Sequence, residues 1–256
     1  KANSNTLVST VLHWEHWPSF LVCDMNLSLE SILEGQLFLV DKPLEWTSFQ
    51  VVNKLKWALK TKYKLKKIKV GHAGTLDPLA TGLLLVCTGK MTKKISEIQA
   101  LEKAYTGTIT LGATTPSYDL ETAIDQNFPT DHITKEQLNV VKKKFEGEID
   151  QYPPIFSAIK KEGKRLYEYA RKGEKTKIES RKVTLYTFNF TKIDLPQLHF
   201  DVRCSKGTYI RSLAHDFGKA LKSGGHLSQL RRTAIGFYRV EDALTPDQIL
   251  EKLDGI

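Results

Sequence analysis

The clearest periodicity in the chain lies between residues 46 and 60, where Val51, Val52, Leu55 and Leu59 recur at spacings of three and four and leave the lysines elsewhere. That stripe predicts an amphipathic helix. Thr47 followed by Gln50 forms a capping-box pair, and Trp46 and Val51 stand where a hydrophobic staple closes the first turn. The same start pattern recurs at Thr134 with Gln137 and at Thr245 with Pro246 and Gln248, so a helix is expected after each. Strand-length apolar runs occupy 36–40, 83–87, 105–111, 183–190 and 198–204. In the last run Leu198, Phe200, Val202 and Cys204 alternate with His199, Asp201 and Arg203, which predicts one buried face and one wet face. Beyond Gly207-Thr208, Ile210, Leu213, Ala214, Phe217 and Leu221 define the apolar side of a further helix, placing Arg211 and His215 together off that side.

Strands followed by mixed helices and hairpins predict an α+β fold with a largely antiparallel sheet, although the pattern does not order the strands. The chain carries no internal repeat or low-complexity linker, so a single cooperative unit with at most one protruding insertion is expected. Its apolar runs fall far short of the roughly 18 to 20 residues a membrane helix requires, and no membrane partner is expected. Cys23, Cys87 and Cys204 are scattered without a Cys-x-x-Cys spacing, which argues against a thiolate metal site or redox pair and for a reducing compartment. The segment 7–20 is interrupted by His13, Glu15 and His16 and makes a poor signal-peptide core. Met25 is the expected native start, with residues 1–24 set aside as an upstream extension.

Charge changes the picture further. There are 38 Lys and Arg against 29 Asp and Glu, a formal net charge of +9, and the excess is clustered. Eight lysines fall within residues 54–69, and further basic groups gather at 90–94, 142–144, 160–182 and 231–232. Tyr63, Tyr167 and Tyr169 lie inside these runs, and cations interleaved with rings suit RNA, which needs both phosphate neutralisation and stacking.

The densest constellation is Gly71-His72-Ala73-Gly74-Thr75-Leu76-Asp77-Pro78-Leu79-Ala80-Thr81-Gly82. Three glycines and a proline shape this loop, and Pro78 pushes Asp77 out of helical conformation. On the residues alone, Asp77 before Pro78 reads first as ordinary turn chemistry rather than as a catalytic group. The nearby Thr88-Gly89-Lys90-Met91 departs from a phosphate-binding loop at both the first glycine and the hydroxyl position. His72, Asp77 and Cys87 have no recognised metal-ligand spacing, so no metal is expected.

The run 71–82 resembles the catalytic loop of the TruB family of tRNA pseudouridine synthases. Five other segments are similar to family motifs in the same order: Lys42-Pro43 with Trp46-Thr47-Ser48; Lys103-Ala104-Tyr105; 152–158 (YPPIFSA); 207–213 (GTYIRSL); and Leu230-Arg231-Arg232. The resemblance runs from about residue 35 to the C-terminus. It implies a pseudouridine synthase fold over 35–256, a preceding extension over 1–34, and a thumb insertion over about 153–181. It also leaves no room for the C-terminal PUA domain of many relatives, so phosphate contacts are expected to lean on the catalytic domain.

The implied activity is isomerisation of the T-loop uridine of tRNA, uridine 55, by base flipping and without a cofactor. Asp77 is then the essential carboxylate, attacking the sugar, attacking the base or taking the C2′ proton. Arg211 is the cation that keeps it ionised, and Tyr105 the ring against the uracil and a candidate for the C5 proton transfer. His72, Tyr209 and Leu230 are assigned to substrate binding. Lys42 and Pro43 are grouped with them, chiefly as braces for the loop. Lys160, Lys164, Arg165 and Arg171 are assigned to the RNA backbone. The implied partner is the T arm of tRNA, with no obligate protein partner, for a monomer in the cytoplasm. The competing reading is a tRNA-binding or RNA-chaperone module in which catalysis is secondary.

Overall fold

The computed structural model describes residues 27–174 and 176–255; the expectations for 1–24, Met25 and Cys23 lie outside the described residues. The chain runs through α1 (Leu29–Gly35), β1 (Leu37–Lys42), α2 (Ser48–Lys62), β2 (Val70–His72), β3 (Ala80–Thr88), α3 (Ile95–Ala100) and β4 (Lys103–Leu111). A short pair β5 (Ala113–Thr114) and β6 (Gln126–Asn127), α4 (Lys135–Lys143) and β7 (Gly147–Gln151) come next. Residues 152–180 then leave the sheet and carry β8 (Lys160–Lys161), β9 (Lys164–Arg165) and α5 (Leu166–Arg171). The chain returns as β10 (Arg181–Asp194) and β11 (Gln197–Cys204), then closes with α6 (Ile210–Ala220), β12 (Gly225–Ile235), β13 (Tyr238–Arg239) and α7 (Pro246–Asp254).

Local grammar accounts for the best-defined helices. Thr47, Thr134 and Thr245 each accept from the backbone N–H three residues on, and Gln50, Gln137 and Gln248 return the bond. Each cap contributes about 1 kcal/mol, enough to set where the helix starts. Val51, Leu55 and Leu59 of α2 are fully buried, each burial contributing about 1.5–3 kcal/mol, so the stripe rather than propensity holds this helix down.

The sheet has nine strands among the described residues, in the order β1-β3-β12-β4-β11-β10-β7, with β2 beside β3 and β13 beside β12. All its pairings are antiparallel except β3 with β12. Helices cover its two halves differently. On β3, Leu84 and Val86 pack with α2 and α7 residues, while Leu83, Leu85 and Cys87 pack on the opposite face with Ile98 and Ile235, so this central strand is continuously apolar. On β11, Leu198, Phe200, Val202 and Cys204 are buried beneath Leu213 and Phe217 of α6 while Arg203 is exposed, the alternation expected of a half-covered strand. Residues 27–34, assigned from the sequence to an extension, instead join the fold: Ile32 is fully buried and its carbonyl accepts from the Thr88 hydroxyl.

A single cross-strand row links four neighbouring strands. Lys42 pairs with Gly82, Gly82 with Arg232, and Arg232 with Tyr105, so four sequence-distant residues lie abreast on β1, β3, β12 and β4. Gly82 has φ +100°, and a Cβ there would meet the Arg232 carbonyl oxygen at 2.3 Å. Gly82→Ala is therefore expected to cost more than about 1 kcal/mol in unfolding free energy, from left-handed strain and backbone overlap together. Urea melts check this, and an unchanged midpoint would contradict the close approach.

Candidate active site

The loop 73–79 is fixed from several sides before it presents any chemistry. Ser48, the first residue of α2, accepts from Leu76 N–H at 2.8 Å, and its hydroxyl donates to the Leu76 carbonyl at 3.1 Å. Glu45 N–H donates to the Pro78 carbonyl at 2.9 Å. Lys42 is fully buried; its ammonium donates to the carbonyls of Pro43, Trp46 and Pro78. Burial pulls its pKa down to about 8, with Asp77 opposing the fall. Arg232 is almost wholly buried too, donating to the carbonyls of Leu83 at 2.7 Å and Gly74 at 3.0 Å.

Asp77 stands at the end of this braced loop with about a third of its side chain open to solvent. The Arg211 guanidinium holds it: Nη2 donates to Oδ1 at 3.1 Å, and Nε lies 2.9 Å from Oδ2. Arg211 is itself 3% exposed, and the rest of its fork is occupied. Nη1 donates to the Ser117 carbonyl and Nη2 also to the Phe156 carbonyl, while the buried carboxylate of Asp119 lies 3.5 Å from Nε. The helix that carries Arg211 is set by Gln151 at the end of β7. Its side chain accepts from Tyr209 N–H at 2.7 Å and donates to the Tyr209 carbonyl at 3.0 Å. Ser212 adds a bond to the Tyr152 carbonyl.

The electrostatics of Asp77 are a contest. Burial raises its carboxyl above the ordinary carboxylate range and Asp119 adds to the rise, while Arg211 and Lys42 pull it back. Tyr105 is buried beside it; burial raises the phenol, with Arg232 opposing, so the hydroxyl keeps its proton at neutral pH. His72 is held below its usual value by burial and by Arg232, and is neutral there.

Asp77, Arg211, Tyr105, His72, Tyr209 and Leu230 all line one cleft of about 1260 Å³. That exceeds the usual range for small-molecule pockets and admits a loop of polymer. Of the cations assigned to RNA, Lys160, Arg165 and Arg171 stand on its wall, whereas Lys164 does not and lies 5.8 Å from the Tyr169 ring. Lys42 and Pro43, grouped with substrate-binding residues on sequence, are not on the wall; buried Lys42 acts behind the loop, because its charge is taken up by three carbonyls. Arg211 and His215 do lie off the apolar side of α6, but this side is no solvated face. The loop 112–125 closes it, Tyr118 stacking on His215 at 3.8 Å between ring centroids.

Sequence reasoning missed Asp119, Gln151 and the wall residue Arg181 as site residues, and noted Arg232 only within a motif and a basic cluster. Arg181 reaches the Gly207 carbonyl and lies 4.6 Å from the Tyr209 ring. The one signal at Asp119 was an acid in a turn-rich segment without periodicity.

A floor of this kind needs a substrate that brings negative charge to the basic walls and can swing one base free of its stack. An acidic floor under basic and aromatic walls suits an enzyme acting on a polyanion such as RNA. Residues 60–210 match the N-terminal domain of TruB family pseudouridylate synthases, and 211–254 the C-terminal domain of tRNA pseudouridylate synthase B. The tRNA pseudouridine synthase B of Flavobacterium johnsoniae is 66% identical over 216 residues, covering 84% of this chain and 94% of the relative. That of Parabacteroides distasonis is 52% identical over 222 residues, covering 87% and 94%. Among solved structures, a chain of a Cbf5-Nop10-Gar1 complex superposes with a TM-score of 0.65 at 31% identity, covering 88% of this chain, which spans 57% of that one. The chain belongs to the TruB family of pseudouridylate synthases.

The contest at Asp77 sets a pH dependence. With Asp77 as the expected essential carboxylate, the rate is expected to fall as pH drops through a value raised above that of an ordinary carboxylate. Asp119→Asn removes a neighbouring negative charge and moves this acid limb to lower pH, whereas Arg211→Gln moves it to higher pH. Both variants lower the plateau. Single-turnover rates across pH check the pair of shifts, and limbs that stay put in both would disprove the coupling.

Proposed function

We propose that this protein isomerises the T-loop uridine of tRNA, uridine 55, to pseudouridine. The observation that carries the reading is the Asp77–Arg211 pair at the floor of the cleft, with the Tyr105 ring beside it. Relatives bearing the name tRNA pseudouridine synthase B match at 66% and 52% identity over nearly their whole length.

The chemistry derives from what the floor supplies. A base leaving the RNA stack costs a few kcal/mol, and a ring that receives it returns about 1–3 kcal/mol. Tyr105 takes that place, with Tyr209 and Leu230 closing the pocket. The N1–C1′ bond then breaks, the base turns, C5 bonds to C1′ and gives up its proton, and N1 takes one up, so the composition of the nucleoside is unchanged. Asp77 must be anionic for any route through the sugar, the base or the C2′ proton, and Arg211 favours that form without leaving its own charge unpaired. On this reading the Tyr105 hydroxyl, which keeps its proton, serves in the C5 proton transfer. Lys160, Arg165 and Arg171 close on the phosphates from segment 152–180, which acts as a thumb. The chain works as a monomer in the reducing cytoplasm, a placement supported by the free, buried thiols of Cys87 and Cys204.

Asp77→Asn removes the reactive anion and hardly any volume. It is expected to abolish tritium release from C5-labelled uridine in a T-arm stem-loop while leaving stem-loop affinity unchanged. Continued release would sink the assignment of Asp77. Free uracil among the wild-type products would indicate hydrolysis instead of isomerisation, and retained binding by a wild type that forms no pseudouridine would favour an RNA-chaperone module.

A further inference from the structure

Helix α2 has a second face that runs from the edge of the catalytic cleft out over the surface. Its inner side packs into the core through Val51, Val52, Leu55 and Leu59. Its outer side carries Phe49 and Trp57, which are 67% and 66% exposed, two turns or about 12 Å apart. Asn53 lies between them, and Lys56 and Lys60 fall on the same side at helical spacing. Two large rings left in water along one helix face mark a surface with a partner.

Charge says which partner. Residues 46–76 contain eight lysines and no Asp or Glu. Lys54 is taken by Asp247 of α7 at 2.5 Å; Lys56 and Lys60 form no ion pair among the described residues. Protein interfaces are depleted in lysine at their cores, whereas lysines interleaved with rings are how proteins grip a polyanionic strand. Position agrees with charge: Phe49 stands on the wall of the catalytic cleft next to Thr47 and Ser48, so the face is continuous with the place where the nucleotide reacts.

We infer that the outer face of α2 is a second RNA-binding surface, taking the backbone of the same substrate RNA outside the loop that enters the cleft. Lys56 and Lys60 neutralise phosphates, and Trp57 packs against a sugar or base. This rests on the proposed activity on tRNA and adds to it a contact outside the cleft.

The test uses the full chain and an unmodified tRNA transcript, with the dissociation constant measured across salt concentrations. Lys56→Gln with Lys60→Gln is expected to weaken binding about tenfold at low salt and to reduce the slope of log affinity against log salt by about 2. Trp57→Ala is expected to weaken binding about fivefold or more with the slope unchanged. Turnover at saturating RNA should equal that of the wild type in both, and Lys56→Arg with Lys60→Arg should restore affinity. Affinity and slope unchanged in both variants, beside a wild type that modifies tRNA normally, would overturn the α2 surface alone. So would a wild type that self-associates in sedimentation through this face while the variants bind RNA normally. A wild type that neither binds nor modifies tRNA would overturn the functional reading and this one with it.

Discussion

A guanidinium taken out of water must be repaid in hydrogen bonds from every direction, and the site is organised around that demand at Arg211. Its fork reaches Asp77 on the loop before β3, Ser117 and Asp119 on the loop after β5, and Phe156 just beyond β7. These partners come from three different parts of the chain, so the cation is held only when all three segments are in place. A buried ion pair of this kind is a weak source of net stability, because desolvation offsets the attraction. What it supplies is geometry: the carboxylate has one position in which the cation is content.

The surrounding charges reinforce that position without neutralising it. Lys42 and Arg232 lie buried behind the loop with their hydrogens given to backbone carbonyls, not to acids. Arg232 adds to the burial that lowers His72 and opposes the rise that burial causes at Tyr105, and Lys42 opposes the rise at Asp77. The opposing influence is Asp119, which anchors Arg211 while pushing the Asp77 carboxyl upward. Two acids sharing one guanidinium leave Asp77 less firmly paired than it would be alone.

The elements legible in the sequence were those whose cause is local. Three capping boxes announced α2, α4 and α7 within a few residues, and alternation from Leu198 to Cys204 announced both β11 and its wet face. The α+β class with its mostly antiparallel sheet came from the same patterns. What stayed hidden has non-local causes. β12 mixes buried Leu227 and Ala234 with buried Arg232, so it shows neither period, and its charge makes sense only against carbonyls some 150 residues earlier. Asp119 sits in a loop without pattern, and its meaning comes from a helix 92 residues further along. Asp77 and Arg211 were legible through motif resemblance, not through periodicity.

The sheet explains why motifs so far apart converge. β3 and β12 run parallel, so the segment entering β3 after Asp77 lies alongside the stretch from Leu230 to Arg232, with Ala80 opposite Leu230. β4 is antiparallel to β12 and brings Tyr105 opposite Arg232, while β1 brings Lys42 opposite Gly82. A glycine at position 82 is what allows the row to close, since a side chain there would strike the Arg232 backbone. A shift of one residue in any of these pairings would turn every side chain of that strand to the other face and separate phenol, guanidinium and loop at once. The register of one row of backbone pairs thus carries the catalytic geometry, and the apolar packing of β3 on both faces is what holds that register.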